Sequence, residues 1–376
     1  MRFDTLLVQS GQRPTSGAGD AVPPIHLAAT YERNVQDPQR YYYGRGENPT
    51  REELEECLAA LEDAGFATVF ASGQAAASAV LSLLSAGQRV VSCDDVYSGT
   101  DALLALIERA GVEVHRTDLS DPGRAAEALG AGSRLDLVWI ETPTNPLLKI
   151  VDLETVCRLA HDRGALVVVD NTLASPALQQ PLRWADISLY STTKSISGHL
   201  DVLGGALVYH DERLHERLRT HRTVVGNVPG ALDCYLIRRG LKTLSLRVAR
   251  QVESAALVLA ALEDKPSVGA IHYPGLSAHP GHRIAARQMS AFGSIISFEY
   301  LGDHTKLLEQ VRVFAAAVSL GGVQSLIECP ASMSHAAIAR QALLSRGVSE
   351  NLVRLSIGIE DPVDLVADLR AALRAG

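Results

Sequence analysis

Lys194 lies at the centre of the stretch SLYSTTKSISGH, residues 188–199. An alternating apolar run ends at Tyr190, the hydroxyls of Ser191, Thr192 and Thr193 follow, and Gly198 opens a turn just beyond the lysine. An isolated lysine is ordinarily a solvated surface residue. Asp170 changes that reading. It closes the run LVVVDNT, 24 positions before Lys194. Three consecutive valines before an aspartate predict a strand buried on both faces, with the carboxylate at its carboxyl end, where open parallel sheets place ligands. An acid and an amine are therefore expected on one rim. Pyridoxal phosphate uses such a pair: the lysine joins its aldehyde as a Schiff base, and the carboxylate keeps the pyridine nitrogen protonated so that the ring accepts electrons. At about 3 Å and an effective dielectric near ~20, that contact is worth on the order of 5 kcal/mol before desolvation, enough to hold the proton.

Other polar residues fall at predicted strand ends. ASGQAAASAV, residues 71–80, passes from a strand through Gly73 and Gln74 into a helix, and backbone N–H groups at a helix N-terminus attract a phosphate. Ser191 and Thr193 add hydroxyls to that reading. Tyr97, in CDDVYSGT, follows another strand; its ring either packs at the rim or stacks on a flat heterocycle, with the phenol moving protons. ETPTNP, residues 141–146, ends a strand with Glu141 and supplies Asn145, which serves either turn chemistry or a ligand. Arg354, inside the apolar NLVRLSIGIED, needs a partner if buried: a structural carboxylate, or that of a substrate. Tyr43 and Arg45 in RYYYGRGENPT stand two apart and point the same way in an extended chain. They suit an interface clamp, a ligand contact, or both, because an arm gripping a second subunit can carry Arg45 into that subunit's pocket. His279 and His282 are separated by Pro280 and Gly281, and no third ligand has fitting spacing, so no metal is expected.

The elements that must position these residues alternate regularly. Short apolar strands are predicted at 67–72, 89–93, 112–117, 135–141, 165–170, 186–191 and 205–210, after a helix at 51–64 and with helical spacing in most gaps. Seven strands with crossover helices predict an α/β class domain with a mostly parallel sheet. Residues 1–50, with Pro14, Pro23, Pro24, Pro38 and Pro49, read as an extended arm contacting a neighbouring subunit. A boundary is placed near Gly230, giving an arm (1–50), a cofactor-binding domain (51–230) and a smaller α/β domain (231–376). The last opens with a long helical stretch over 231–263, then strands at 295–301 and 352–359 and helices around 305–319, 335–346 and 363–374.

Composition narrows the class. At 376 residues, 47% hydrophobic and 21% charged, the chain reads as an ordinary globular protein of about two domains. A net charge of -8 and a pI near 5.8 argue against a nucleic-acid partner. Cys57, Cys93, Cys157, Cys234 and Cys329 are odd in number and widely spaced, so neither a disulfide framework nor a zinc site is indicated, and a reducing cytoplasm is expected. No signal peptide and no apolar run near the ~18 residues needed to cross a membrane are read. Walker A, GxGxxG, GxSxG and HExxH strings are absent, so nucleotide, dehydrogenase, serine-hydrolase and zinc-protease readings lose their support.

Taken in order, YGRGENPT, ASGQAA, DDVYSGT, ETPTNP, VVVDNT, STTKSISGHLDVLGG, LIRRGLKTLSLR, SLGGVQSLIECPASMSH and VRLSIGIED resemble the Cys/Met-metabolism family of pyridoxal-phosphate enzymes over nearly the whole chain. The resemblance implies a fold-type-I, aspartate-aminotransferase-like architecture and a homotetramer built from two tight dimers that share active sites. It further implies that Lys194 binds the cofactor's aldehyde, Asp170 its ring nitrogen and Asn145 the neighbourhood of its phenolic oxygen, with Tyr97 stacked on the ring. Gly73, Gln74, Ser191 and Thr193 would hold the phosphate, with Tyr43 and Arg45 reaching in from the neighbour, while Arg354 and Ser325 receive the amino acid's carboxylate. Gln324 falls where cystathionine γ-enzymes usually carry glutamate. The expected activity is γ-elimination on a sulfur amino acid, cystathionine first. Alternatives are γ-replacement by a cystathionine γ-synthase or O-acylhomoserine sulfhydrylase, then methionine γ-lyase or cystathionine β-lyase. A catalytically silent interaction protein is the alternative from another class.

Overall fold

The computed structural model of the chain describes residues 1–12, 19–33, 36, 40–132, 134–263, 265–336 and 338–375. Pro14 and Pro38 of the expected arm lie outside them.

The larger sheet contains β1 (Phe66–Phe70), β2 (Arg89–Cys93), β3 (Glu113–Thr117), β4 (Leu137–Glu141), β5 (Leu166–Asp170), β6 (Ile187–Tyr190) and β7 (Gly205–Tyr209). Their spatial order is β1-β7-β6-β5-β4-β2-β3. β7 pairs antiparallel with both neighbours and the other pairings are parallel. The mostly parallel sheet read from the sequence is thus present, with strand ends within two residues of those expected. β2, β4, β6 and β7 are buried along their whole length, because helices such as Gly73–Leu81, Leu153–His161 and Glu212–Val225 cover a sheet whose strands are apolar on both faces. β3 is one of the two edge strands, and its polar Glu113, His115 and Arg116 keep contact with solvent. Ser72, Asp121, Asp152 and Asp211 each cap a helix by accepting a backbone N–H, a contact typically worth ~1 kcal/mol.

Strand order reverses between β2 and β4: the chain moves outward from β2 to β3 and then back across to β4. Such a switch point opens a crevice above the strands' carboxyl ends. The loops carrying Tyr97 and Asn145 leave β2 and β4 there.

A second sheet contains β8 (Val268–His272), β9 (Ile295–Tyr300), β10 (Ala315–Ala316), β11 (Leu326–Glu328) and β12 (Leu352–Ser356), in the order β10-β11-β12-β9-β8. Helices Leu244–Leu262 and Pro362–Ala375 pack over this sheet, and Leu365 and Leu369 of the second helix share a fully buried core with Phe298 and Leu355. The two sheets are tied by Gln288, whose amide donates to Val151 O (3.0 Å) and Gln179 Oε1 (3.1 Å), and by Ser297, which donates to Pro146 O at 2.7 Å.

Four expectations are corrected. The helix expected over 305–319 ends at Gln310. The Asp368 carboxylate takes the N–H groups of Arg312, Val313 and Phe314 (2.8, 2.8 and 3.1 Å), diverting the chain into β10. The continuous helix over 231–263 breaks into Ala231–Leu241 and Leu244–Leu262, and Arg247 caps the first piece through Gly240 O at 2.7 Å. The helix expected over 335–346 is confined to Arg340–Ser345. The arm is not wholly extended: Phe3–Gln9 is a helix whose Leu7 packs with Leu54, Cys57 and Leu58.

Glu62 is a buried acid beneath this sheet. It accepts from Tyr190 Oη (2.5 Å), Ser188 Oγ (2.9 Å) and Leu182 N (3.2 Å), yet burial pushes its carboxyl up to about 7. A carboxyl with a raised folded pKa contributes stability that is complete below its unfolded pKa and lost as pH rises through the folded value. The stability of wild type relative to Glu62→Gln is therefore expected to fall between pH 5 and pH 8. Urea midpoints of both proteins at these two pH values, at one protein concentration, measure it; a constant gap would contradict the assignment.

Candidate active site

Lys194 leaves β6 through a tight turn: Lys194 N donates to Ser191 O (3.1 Å) and Gly198 N to Lys194 O (2.8 Å). Gly198 has φ +73°, and a Cβ there would overlap the Arg247 guanidinium. Arg247 holds the turn from below by donating to Ser195 O (2.7 Å) and Ile196 O (3.2 Å). The lysine is thus fixed by a helix more than fifty residues later in sequence. Its Nζ donates to Ser319 Oγ at 2.8 Å. Burial first, and then the positive charge of Arg354, bring its pKa down to about 8. A fraction of this amine is consequently unprotonated near neutral pH.

Around it opens a cavity of about 440 Å³ lined by Gly73, Gln74, Tyr97, Asn145, Asp170, Ser191, Thr193, Lys194 and Arg354. Nine of the residues singled out from the sequence are therefore brought together. Asp170 is buried, and Thr172 N donates to its Oδ1 at 3.0 Å. Glu141 is its register partner on β4. Burial and the neighbouring Asp170 charge hold the Glu141 carboxyl well above the usual range, and Asp170 is likewise raised by burial. Two buried acids side by side favour a cation between or beside them. Glu141 also accepts from Tyr97 N (2.8 Å) and Asn145 N (3.0 Å), while Asp95 accepts from Thr144 Oγ1 at 2.7 Å. The two rim loops are thereby stapled to each other.

At the opposite end, the helix Gly73–Leu81 points its N-terminus into the cavity beside Ser191 and Thr193. The first N–H groups of a helix have no intrahelical acceptor. Gly73 makes the approach possible, since a Cβ there would lie 2.9 Å from Ser191 Cβ. An anion cradle at one end, paired acids along one wall and an amine between them fit a phosphorylated pyridine aldehyde.

Four residues stand elsewhere. Ser325 does not line the cavity: it is fully buried, donates to Glu360 Oε2 and accepts from Gly358 N, both at 2.8 Å. Ser319, not Ser325, is the serine of that segment in the cavity, and it accepts from Lys194. Gln324 is exposed outside the cavity, and Val318, Ser319 and Leu320 are the residues of that segment that line it. Both corrections have one cause: a loop without periodicity precedes β11, so sequence spacing does not say which of its residues turns inward. Tyr43 and Arg45 are also absent from the lining. Tyr43 is 45% exposed, Arg45 donates to Thr223 O at 2.5 Å, and buried Arg51 holds their loop through Gly44 O (2.9 Å) and Gly46 O (2.5 Å). Ser319, Glu141 and Arg247 were missed as site residues. Of these, only Glu141 carried a signal, its position at a predicted strand end.

His279 accepts from Gly281 N (3.0 Å) and His282 Nδ1 lies 2.8 Å from Pro274 O, each engaged within its own loop. Among the described residues no helix is long and apolar enough to cross a membrane.

Residues 4–374 match the family described as Cys/Met metabolism PLP-dependent enzyme. Among solved structures the chain is similar to a cystathione gamma lyase from Micromonospora echinospora, with 61% identity, a TM-score of 0.98 and full coverage of both chains (100% each). It is also similar to an apo methionine gamma lyase from the same organism, with 62% identity, a TM-score of 0.94 and 99% of both chains covered. The cystathionine gamma-synthase of Mycobacterium tuberculosis (strain H37Rv) is 46% identical over 379 aligned positions, covering 98% of this chain and 96% of the relative. With its α/β architecture, its lysine and acid at the sheet's carboxyl edge, and a match over nearly its full length, the chain belongs to the Cys/Met metabolism family of pyridoxal-phosphate-dependent enzymes.

Proposed function

We propose that the chain is a carbon–sulfur lyase that removes the γ-substituent of a sulfur amino acid and, consuming one water, releases a thiol, 2-oxobutanoate and ammonia. The observation that carries this reading is the convergence of Lys194, Asp170, the Gly73 helix terminus and Arg354 on one cavity, part of whose wall is an apolar patch of Leu203, Val318, Leu320 and Met333. Such a wall suits a thioether side chain, and it supplies no acid for a distal ammonium. Methionine-like substrates are therefore favoured over cystathionine, which the sequence had placed first. The similarity to both a cystathione gamma lyase and a methionine gamma lyase supports elimination. γ-Replacement is the second reading, supported by the similarity to a cystathionine gamma-synthase.

Bound pyridoxal phosphate supplies an aldehyde that captures amines and a protonated ring that stores the electron pair of a bond broken at Cα. Gly73, Gln74, Ser191 and Thr193 would hold its phosphate, and Asp170 would keep the ring nitrogen protonated. Tyr97, whose backbone N–H is held by Glu141, would stack on the ring. Arg354, which donates to Asn145 Oδ1 (2.7 Å), receives the substrate carboxylate. Lys194, with its lowered proton affinity, takes the α-proton at Nζ and carries the β-proton. The Tyr97 phenol protonates the departing sulfur.

Tyr43 and Arg45, exposed and away from their own chain's cavity, reach the phosphate of a neighbouring subunit within a homotetramer. The five cysteines, all buried free thiols, suit a reducing cytoplasm.

Mass spectrometry of products from methionine, cystathionine, homocysteine and O-acylhomoserine tests the reaction. Oxobutanoate and ammonia without added thiol are expected from methionine or cystathionine. Pyruvate would instead identify a β-lyase, and turnover only of O-acylhomoserine with cysteine or sulfide a replacement enzyme. Gly73→Ala is expected to weaken pyridoxal phosphate binding by about tenfold or more while leaving pyridoxal, which lacks the phosphate, nearly unchanged in an absorbance titration. Equal losses for both ligands would remove the phosphate from that helix terminus. If sites are shared between subunits, inactive Lys194→Ala and Arg45→Ala proteins dissociated and reassociated together recover about a quarter of wild-type activity, because only mixed pairs build one complete site. No recovery from pairs shown to have mixed would place Arg45 outside the neighbour's site.

A further inference from the structure

Arg354 lies in the cavity lining, and the group behind it is an acid that does not line the cavity. Glu328, on β11, is the register partner of Arg354 on β12 and is 1% exposed. Its Oε1 lies 2.9 Å from Arg354 Nη2 and accepts from Ser334 Oγ at 2.7 Å. Towards the cavity, Arg354 Nη2 donates to Ser319 O at 2.6 Å, and the hydroxyl of that same serine accepts from Lys194 Nζ. A connected series of contacts therefore runs from Lys194 through Ser319 and Arg354 to Glu328.

This pair makes one short contact rather than a closed fork. A buried carboxylate and guanidinium frequently close into a two-bond fork, whereas here Glu328 Oε2 and Arg354 Nε are both buried without a partner. Buried ion pairs are in any case weak sources of stability. What the arrangement does provide is charge balance. The groups around Lys194 are Arg354 and Glu328 on the side of the second sheet, with Asp170, Glu141 and Tyr97 lining the far side of the cavity. His335, 2.8 Å from Ser334 Oγ, is held neutral by burial, which brings its pKa down to about 4. Arg354 and Glu328 act on Lys194 with opposite signs.

We propose that Glu328 is a positioning residue for the reaction: its charge, rather than its shape, fixes Arg354 in the cavity floor and offsets the field that Arg354 exerts on Lys194. This rests on the reading of Lys194 as the cofactor-binding amine.

The test uses full-length protein stripped of cofactor, treated with limiting acetic anhydride across pH 6–9, with acetylation of the Lys194 peptide read by mass spectrometry. Glu328→Gln keeps the shape and removes the charge; Glu328→Asp keeps the charge on a shorter stem. Glu328→Gln is expected to move the midpoint of Lys194 reactivity down by about one pH unit, so that acetylation below the wild-type midpoint is about tenfold faster. Glu328→Asp is expected to stay near wild type. Overlay of Glu328→Gln on wild type overturns the proposal, and so does an equal shift in both variants, which would mean that shape matters. If Glu328→Gln does not fold, as judged by circular dichroism, Arg354→Gln should raise the midpoint and the double variant should restore it; equal midpoints in those two overturn the proposal instead. Borohydride reduction of wild type loaded with pyridoxal phosphate separates the two claims. Failure to tag Lys194 sinks the cofactor reading, whereas normal tagging with an unshifted Glu328→Gln sinks only the role of Glu328.

Discussion

A primary amine and a guanidinium share one cavity, and the structure is arranged around that repulsion. Lys194 and Arg354 both line the space above the carboxyl edge of the larger sheet. Burial and a neighbouring positive charge each disfavour an ammonium, so Lys194 is an amine that gives up its proton near neutrality. Arg354 cannot do the same, because a guanidinium keeps its charge, and Glu328 answers it from behind. The acids on the far wall, Asp170 and Glu141, leave the cavity ready for a cationic ring.

Holding that arrangement requires contacts between distant parts of the chain. Arg247 fastens the Lys194 turn to the helix pair that begins the second half of the molecule. Gln288 and Ser297 lock the second sheet onto the loops that follow β4. Arg354 itself bonds Asn145 across this junction. The cavity therefore exists only where the two sheets meet, and neither half carries the whole set of groups.

Much of the site was legible because its residues report local structure. Three valines before Asp170 name a buried strand, a glycine after an apolar run names a strand-to-helix turn at Gly73, and an arginine in an apolar strand names a buried charge at Arg354. Each is a statement about a few consecutive residues. Ser319 and Val318 were illegible for the opposite reason. They sit in the irregular segment before β11, where no period of two or 3.6 fixes which side chain faces in, and Ser325 and Gln324 were chosen in their place. The run LLEQVRVFAAAVSL has the apolar content of a helix, but three backbone bonds to Asp368, more than fifty residues away, outweigh that local preference.

By itself, the sequence determined the α/β class, the strand and helix order of the first half, the lysine and acid at one sheet edge, and the cradle for an anion. These follow from patterning and turn chemistry, which act over a few residues. Tertiary structure decided which serine meets Lys194, which side chains form the apolar wall, how Arg247 and Glu328 support the site, and that Tyr43 and Arg45 lie away from their own chain's cavity. Those outcomes depend on contacts between segments far apart in sequence, and no local pattern encodes the partner of a buried charge.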